Sequence, residues 1–123
     1  MKKTAGCLIY NDENKILLAK RVKEPFKNSW TIVGGKIENE ETIEKGVLRE
    51  VQEELGLDIE NLQFITSGMI NENCKGHLFK GKAVGIPKLK KDELSEAKFF
   101  SIEEIPTLDI GFNHKDLILT NWK

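Results

Sequence analysis

Three glutamates at helical spacing are the side chains of this sequence best suited to chemistry. Glu50, Glu53 and Glu54 are separated by three and four residues, so on a helix their carboxylates lie on one face. Like charges placed that close repel each other unless a cation lies among them. Oxygen ligands without histidine or thiolate favour Mg²⁺, with Mn²⁺ as a substitute. The spacing therefore predicts a divalent-metal site on a helix.

The helix that would carry these carboxylates is predicted to run from Glu41 to Leu55. Because Thr42 is not part of a capping box, Asn39 or Glu40 is expected to cap its start. Gly56 is expected to end it in the left-handed conformation. Its core side is formed by four apolar residues at helical spacing: Ile43, Val47, Val51 and Leu55.

Strand patterns precede and follow this helix. They are predicted over residues 3–10, 15–22, 30–33, 62–71, 77–86 and 97–100, with turns at 11–14 and 73–76, a brief helical turn at 102–105 and a terminal helix at 113–122. Gly68, Gly81 and Gly85 lie within strand patterns and indicate bulges or close approaches. Strands on both sides of a central helix, followed by a final helix, favour an α/β/α sandwich with a mixed β-sheet between the helices.

Length and composition indicate one soluble domain over residues 1–123. The chain has 39% hydrophobic and 32% charged residues, which is ordinary for a globular protein. Its net charge of −1 gives no global positive field for a polymeric nucleic acid, so no such partner is expected. A small anionic ligand remains compatible, because a bound metal supplies local positive charge.

Cysteines, targeting patterns and lysines add little that is specific. Cys7 and Cys74 are predicted to be reduced thiols, since no CxxC motif or Cys/His cluster surrounds them. No signal peptide or membrane span is recognisable, so a cytoplasmic location without membrane association is expected.

A loose basic stretch is predicted to be a solvated strand edge and loop: Lys80, Lys82, Lys88, Lys90 and Lys91.

The run from Gly35 to Leu57 resembles the signature of a known family. It reads GKIENEETIEKGVLREVQEELGL and matches the Nudix box, GX5EX7REUXEEXGU with U an apolar residue, at every specified position. Ordinary residue frequencies would give such a match in roughly one chain in 10⁷. The resemblance implies the Nudix α/β/α sandwich and hydrolysis of a nucleoside diphosphate linked to another moiety, X.

The resemblance also implies a ligand set. Glu50, Glu53 and Glu54 match the family's metal-binding glutamates, and the carbonyl of Gly35 matches a frequent further ligand to Mg²⁺. Either Glu50 or Glu53 is expected to act as the general base, since this role varies between members.

Other positions of the box match supporting residues. Glu41 and Arg49 match a pair that braces the loop against the helix, so a role in supporting the metal ligands is expected. Val33 replaces a frequent proline, Gly46 a usual alanine and Phe99 a common tryptophan. None of these departures changes an expected metal ligand, so hydrolase activity is still expected. The identity of the substrate is left open.

Outside the box the resemblance to the 8-oxo-dGTP pyrophosphohydrolases of the family continues. Arg21 and Lys36 resemble phosphate-binding residues, and Asn113 resembles a base-reading asparagine. Glu93 resembles an additional metal ligand, with Glu96 as its competitor. Each has a plain alternative, as a surface cation, an exposed loop acid or a helix cap.

These observations favour a pyrophosphohydrolase acting on a (d)NTP, including an oxidised one such as 8-oxo-dGTP, and releasing a monophosphate and pyrophosphate. ADP-ribose or a nucleotide sugar is the alternative substrate. A non-catalytic nucleotide sensor is the second alternative, although such proteins usually lack one or more box glutamates. The expected partner is therefore a small nucleotide, and both a monomer and a homodimer remain open.

Overall fold

A computed structural model describes residues 1–90 and 92–122 of the chain. In order, its elements are β1 (Lys2–Tyr10), β2 (Ile16–Arg21), β3 (Trp30–Thr31), β4 (Val33–Lys36), α1 (Ile43–Leu55), β5 (Asp58–Asn71), β6 (Cys74–Val84), β7 (Leu94–Phe100), a 3₁₀ turn (Ile105–Thr107) and α2 (His114–Asn121). No helix in these two ranges is long and apolar enough to span a membrane.

The strands form one mixed sheet. Its order is β3-β2-β1-β6-β5, with β4 added to β1 and β7 added to β2. β1 runs parallel to β6 from the pair Lys2–Cys74 to the pair Tyr10–Lys82, whereas the other strand pairs are antiparallel. A parallel pair needs a long crossover. The crossover here contains α1 and therefore brings the helix across one face of the sheet.

Alternating residues of the central strands fill two cores. Cys7 and Ile9 of β1 pack with Val47 and Val51 of α1 on one face. Between them in sequence, Leu8 packs on the opposite face, against a cluster that contains Ile118 of α2. The sheet thus lies between two helices, and the predicted α/β/α sandwich is confirmed.

The predicted turn between the two long strands was wrong. β5 ends at Asn71 and β6 begins at Cys74, so the turn is formed by residues 72–73. The side chain of Asn71 accepts a hydrogen bond from the backbone N–H of Asn73 at 2.8 Å and stabilises this earlier turn. Gly76, expected in the turn, instead pairs with Gly68 in the sheet.

Two helix starts also differ from prediction. α1 begins at Ile43 and is capped by Thr42, whose hydroxyl accepts a hydrogen bond from the Lys45 N–H at 3.1 Å, so the expected caps at residues 39 and 40 were wrong. Gly56 ends α1 with φ 63°, as predicted. The late helical turn lies at Ile105–Thr107 and contains Pro106 in its first positions, where a missing N–H costs no helical hydrogen bond.

The predicted close approach at Gly81 is present. A Cβ added there would collide with the side chain of Ile59 on β5. The β5–β6 register shifts at three places, and Gly81 lies opposite the first of them, between the partners Lys82 and Lys80. Gly85 lies after the end of β6. By contrast, a Cβ on Gly68 would meet nothing within 4 Å.

Candidate active site

Two consecutive glycines bring β4 close to the acidic helix. Gly34 pairs with Gly6 and Gly35 with Ala5 on β1. A Cβ on Gly34 would collide with the Ala5 carbonyl, and one on Gly35 would collide with the Glu50 carboxylate. Glycine at position 34 therefore allows the backbone to lie against β1, whereas a side chain at position 35 would displace the Glu50 carboxylate.

Arg49 joins the loop after β4 to α1. Its Nε and Nη2 donate to the two oxygens of Glu41 at 3.0 and 2.7 Å, which is a bidentate pair. Nη2 also donates to the Lys36 carbonyl at 3.0 Å. Glu41 in turn accepts a hydrogen bond from the backbone N–H of Glu38 at 2.7 Å. The structure thus brings the two expected bracing residues together and ties them to the loop backbone.

This pair is fixed in its ionised state. Hydrogen bonding to Arg49 and to the Glu38 N–H lowers the pKa of Glu41 to about 2. The Glu41 carboxylate in turn raises the pKa of Arg49 well above its ordinary value. At neutral pH the brace is therefore a permanent ion pair.

The remaining nitrogen of Arg49 faces two of the expected metal ligands. Nη1 lies 3.0 Å from Oε1 of Glu50 and 3.1 Å from each oxygen of Glu53. The Glu50 side chain is 13% exposed and the Glu53 side chain 40% exposed. Carboxylates three residues apart on α1 thus converge on one cationic atom.

This arrangement fits a hard divalent cation by donor chemistry. The Glu50 and Glu53 carboxylates converge on one atom of Arg49, Glu50 also lies against the Gly35 backbone, and the possible ligand atoms are all oxygens. Within residues 1–90 and 92–122, however, no three side chains of His, Cys, Asp or Glu are already gathered at metal-binding distances. The third box glutamate, Glu54, lies towards an adjoining cleft.

That cleft has a volume of about 260 Å³ and combines acidic and basic groups. Glu54 enters it from α1, Glu93 from the loop before β7, and Arg21 from the end of β2. The full lining is Ala19, Arg21, Lys23, Glu24, Thr31, Ile32, Val33, Gly34, Glu54, Glu93 and Leu94. Opposite charges in one concave site suit a phosphate ester bound with a metal ion.

Backbone hydrogen bonds explain why Glu93 reaches the cleft. The loop after β6 crosses the end of α1, where Lys88 N–H donates to the Leu55 carbonyl and Lys90 N–H to the Glu54 carbonyl, both at 2.9 Å. Glu93 then accepts a hydrogen bond from Val22 N–H at 3.2 Å through its own carbonyl. Its competitor Glu96 lies within β7 and is absent from the cleft lining.

The other expected substrate-binding residues are dispersed. Lys36 lines a separate depression of about 340 Å³ with Lys2 and Lys3, so it is not brought to the first cleft. Asn113 precedes α2 without making a side-chain capping bond. Arg21 lines the cleft, and its Nε donates to the Pro25 carbonyl at 2.7 Å.

The predicted basic stretch does not form part of the cleft. Lys82 pairs with Asp12 at 2.6 Å, and the Lys80 ammonium lies over the Trp122 ring at 4.2 Å. Of the five lysines, those at 80, 82, 88 and 90 are missing from the cleft lining, and Lys91 lies outside the described residues. Lys80 and Lys82 lie on β6, which pairs with both β1 and β5, so the prediction of a strand edge was wrong for these two residues. Lys88 and Lys90 lie exposed in the loop after β6, as expected.

Sequence reasoning missed three residues near the cleft. The Nδ1 atom of His114 accepts a hydrogen bond from the Ile32 N–H at 3.0 Å. Phe26 and Phe112 form an exposed aromatic pair beside Arg21. The adjacent turn-forming residues Pro25 and Gly111 were the only local signal, and neither reveals that the two rings meet.

Comparison with known proteins identifies the class to which this site belongs. The model of the NUDIX domain matches residues 1–120. The chain therefore belongs to the Nudix family, and the enzyme class predicted from the box, a Nudix hydrolase, is confirmed.

Two kinds of curated relative resemble the chain in sequence. An ADP-ribose pyrophosphatase of Methanocaldococcus jannaschii is 34% identical, over 94% of this chain and 71% of that protein. The NAD-capped RNA hydrolase NudC of Vibrio atlanticus is 32% identical over 81% of this chain. The chain spans only 38% of the length of that NudC protein.

Solved structures share the fold. The MutT NUDIX hydrolase of Burkholderia pseudomallei superposes with a TM-score of 0.83 at 23% identity, covering 99% of this chain and 98% of that one. The NUDIX domain of Shewanella oneidensis NrtR, solved in complex with ADP ribose, gives 0.84 at 19% identity, over 95% of this chain and 83% of that one. At these identities the likeness concerns the fold alone.

Proposed function

We propose that this protein is a divalent-metal-dependent pyrophosphohydrolase whose substrate is ADP-ribose. The choice of substrate is supported by the 34% identity, over nearly the whole chain, to an ADP-ribose pyrophosphatase. This changes the preference drawn from the sequence, which favoured a (d)NTP. That preference depended in part on Lys36, which does not line the cleft with Arg21.

The proposed reaction adds one water across the diphosphate. A bond forms between the water oxygen and one phosphorus, the bond from that phosphorus to the bridging oxygen breaks, and the products are AMP and ribose 5-phosphate. Bound Mg²⁺ or Mn²⁺ would neutralise phosphate charge and lower the pKa of water. Its proposed ligands are Glu50, Glu53, Glu54 and the Gly35 carbonyl, with Glu93 joining from the loop.

We assign the proton-accepting role to Glu53. Its side chain is more exposed than that of Glu50, which packs against the Gly35 backbone. A carboxylate that takes a proton from water must be reached by water. Glu50 is then the ligand that fixes the ion against the glycine turn.

Cationic side chains in the cleft would bind the diphosphate. Arg21 and Lys23 line it opposite Glu54 and Glu93. Arg21 is held by its hydrogen bond to the Pro25 carbonyl, so little motion is lost when it meets a phosphate. These two cations are proposed to orient the substrate so that its anhydride faces the carboxylates of α1.

The test is a product analysis with purified protein and Mg²⁺. ADP-ribose, NAD⁺, nucleotide sugars, the standard (d)NTPs and 8-oxo-dGTP are incubated separately, and the products are separated by chromatography. AMP and ribose 5-phosphate from ADP-ribose, at the highest kcat/KM of the set, would support the proposal. A monophosphate and pyrophosphate from one triphosphate would restore the earlier preference. Binding without turnover of any substrate would favour the sensor.

A further inference from the structure

Two phenylalanines from distant parts of the chain form an exposed pair beside Arg21, a residue that lines the cleft. Phe26 lies in the loop between β2 and β3, and Phe112 lies directly before α2. Their ring centroids are 4.6 Å apart with planes inclined at 53°. Each residue is nevertheless 45% exposed. Two large apolar rings thus pack on each other while each keeps much of its surface in water.

The backbone holds both residues in an unusual conformation. Phe26 has φ 61° and Phe112 has φ 56°, in the left-handed region that bulky side chains rarely adopt. Gly111 makes room for the pair, because a Cβ there would lie 2.8 Å from Cβ and 2.9 Å from Cγ of Phe26. Strained residues that persist at a surface are often part of a ligand site.

Arg21 connects the aromatic pair to the cleft. Its guanidinium carbon lies 5.3 Å from the Phe112 ring centroid, and the same residue lines the cleft together with Glu54. His114 packs on Phe112 as well, with centroids 5.2 Å apart. The pair is therefore continuous with the site of the acidic helix, and a cation capable of binding phosphate stands between them.

The aromatic pair, Arg21 and the acidic helix follow one another along this surface. A nucleotide bound with a metal ion presents matching groups in the same order: an aromatic base, its phosphates and the ion. We propose that Phe26 and Phe112 form the base-binding surface of this enzyme and stack on the adenine of the substrate while Arg21 contacts the diphosphate. The inference rests on the proposed function, since it takes the diphosphate to lie in the cleft. Every base offers a flat aromatic face, and stacking on a side-chain ring contributes substantially to nucleotide affinity.

Other aromatic residues are less suited to this role. Trp30 packs edge-on against Phe100 at 4.8 Å, and Phe64 packs edge-on against Phe79 at 5.6 Å. Trp30 is only partly exposed, and Phe64 lies on β5, which β1 and β6 separate from the strand that carries Arg21. Phe64 is 56% exposed on β5, so it serves as a matched control for loss of an exposed phenylalanine.

The experiment compares binding of AMP and ribose 5-phosphate by isothermal titration calorimetry. Phe112→Leu and Phe26→Leu remove one ring each but keep an apolar side chain, Phe112→Tyr keeps the ring, and Phe64→Leu is the control. We expect each of the first two variants to weaken AMP binding about tenfold or more, with ribose 5-phosphate changed less than twofold. Phe112→Tyr and Phe64→Leu should bind AMP like the wild type. With ADP-ribose, KM should rise while kcat is retained.

Several results would overturn the inference. Equal weakening of AMP and ribose 5-phosphate would show a structural effect of the rings, and unchanged AMP binding in both leucine variants would exclude stacking. Absence of AMP binding to the wild type at millimolar concentration would also exclude it. If a leucine variant fails to fold, the other variant and Phe112→Tyr still decide the question.

Calorimetry with AMP needs no turnover, so it separates this inference from the proposed function. If AMP binding depends on the rings but ADP-ribose is not cleaved, the base-binding role of Phe26 and Phe112 would stand and ADP-ribose would be excluded as the substrate. If ADP-ribose is cleaved but AMP binding does not depend on the rings, the proposed substrate would stand and the base-binding role of Phe26 and Phe112 would be wrong.

Discussion

His114 accepts a hydrogen bond from the backbone N–H of Ile32, a residue 82 positions earlier in the chain, at 3.0 Å. Ile32 separates β3 from β4, where the chain stops pairing with β2 and begins to pair with β1. It also lines the cleft. The start of α2 is thereby tied to the strand that leads into Gly34 and Gly35.

This bond predicts a pH-dependent stability. Burial, and then the charge of Arg21, lower the pKa of His114 to about 4 from 6.5. Between these values the unfolded chain binds a proton at His114 that the folded protein does not. The free energy of unfolding should therefore fall as the pH falls from about 6.5 to 4, by up to about 3 kcal/mol, and this loss should end below pH 4.

The measurement is urea unfolding of the wild type and of His114→Asn at pH 7.5 and 4.5. The asparagine oxygen can accept from the Ile32 N–H but does not titrate, so the variant should lose less stability on acidification. An identical loss in both proteins would remove His114 as its source. Glu41 affects stability in a lower pH range. Because its pKa is lowered in the folded protein, its contribution to the free energy of unfolding is lost only as the pH falls from 4.5 towards 2.

Glu53→Gln should lower kcat about 100-fold or more while the protein stays folded. The amide keeps the size of the side chain but removes the negative charge that we propose binds the metal and accepts a proton. Activity with Mg²⁺ and calorimetric Mg²⁺ affinity should both fall. Glu44→Gln changes an exposed glutamate in the first turn of the same helix and should leave both unchanged. Near-normal turnover in Glu53→Gln would place this residue outside the site.

Arg49→Lys should lower Mg²⁺ affinity or kcat/KM by about 10- to 100-fold. Lysine keeps the charge but cannot make the bidentate contact to Glu41 while also reaching Glu50 and Glu53. Calorimetry measures the Mg²⁺ affinity, and initial rates measure kcat/KM. Lys45→Gln, which changes an exposed cation on α1, is the control. If Arg49→Lys matched the wild type in both measurements, the bracing role would be wrong.

Gly46→Ala should fail to stabilise the protein. Alanine would raise helix propensity by about 1 kcal/mol at this position. The added Cβ, however, would collide with the Ile37 side chain and lie 2.9 Å from Oε1 of Glu41, the oxygen that Arg49 holds. We expect unchanged or lower stability in urea and kcat/KM reduced several-fold. Gly68→Ala, which meets nothing within 4 Å, should retain activity. A gain near 1 kcal/mol with full activity would contradict this account.

Local sequence patterns predicted the parts of the site that depend on neighbours in sequence. The spacing of Glu50 and Glu53 fixed their common face, and Gly56 ends α1 as expected because its φ of 63° suits glycine. The contact of His114 with Ile32 has no local signal, since it depends on where α2 meets the sheet. The positive φ values of Phe26 and Phe112 were equally hidden, because their residue type argues against them.

Substrate preference was the least predictable property for a related reason. Lys36 is the second residue of the box, yet its position at the end of β4 places it in a different depression from the one lined by Arg21. Adjacent positions in sequence therefore did not identify which cations share one cleft. That information lies in the packing of the loops around the sheet.

The parallel pairing of β1 with β6 also determines the order in which the protein assembles during synthesis. β1 obtains its parallel partner only after the ribosome has produced the chain to Val84, and Phe79 of β6 belongs to the core that supports α1. Contacts between such distant segments close late in folding. The acidic helix is therefore synthesised well before the strand that completes its support. A nascent chain released before β6 would carry the complete Nudix box without the strand that contributes Phe79 to the core beneath α1.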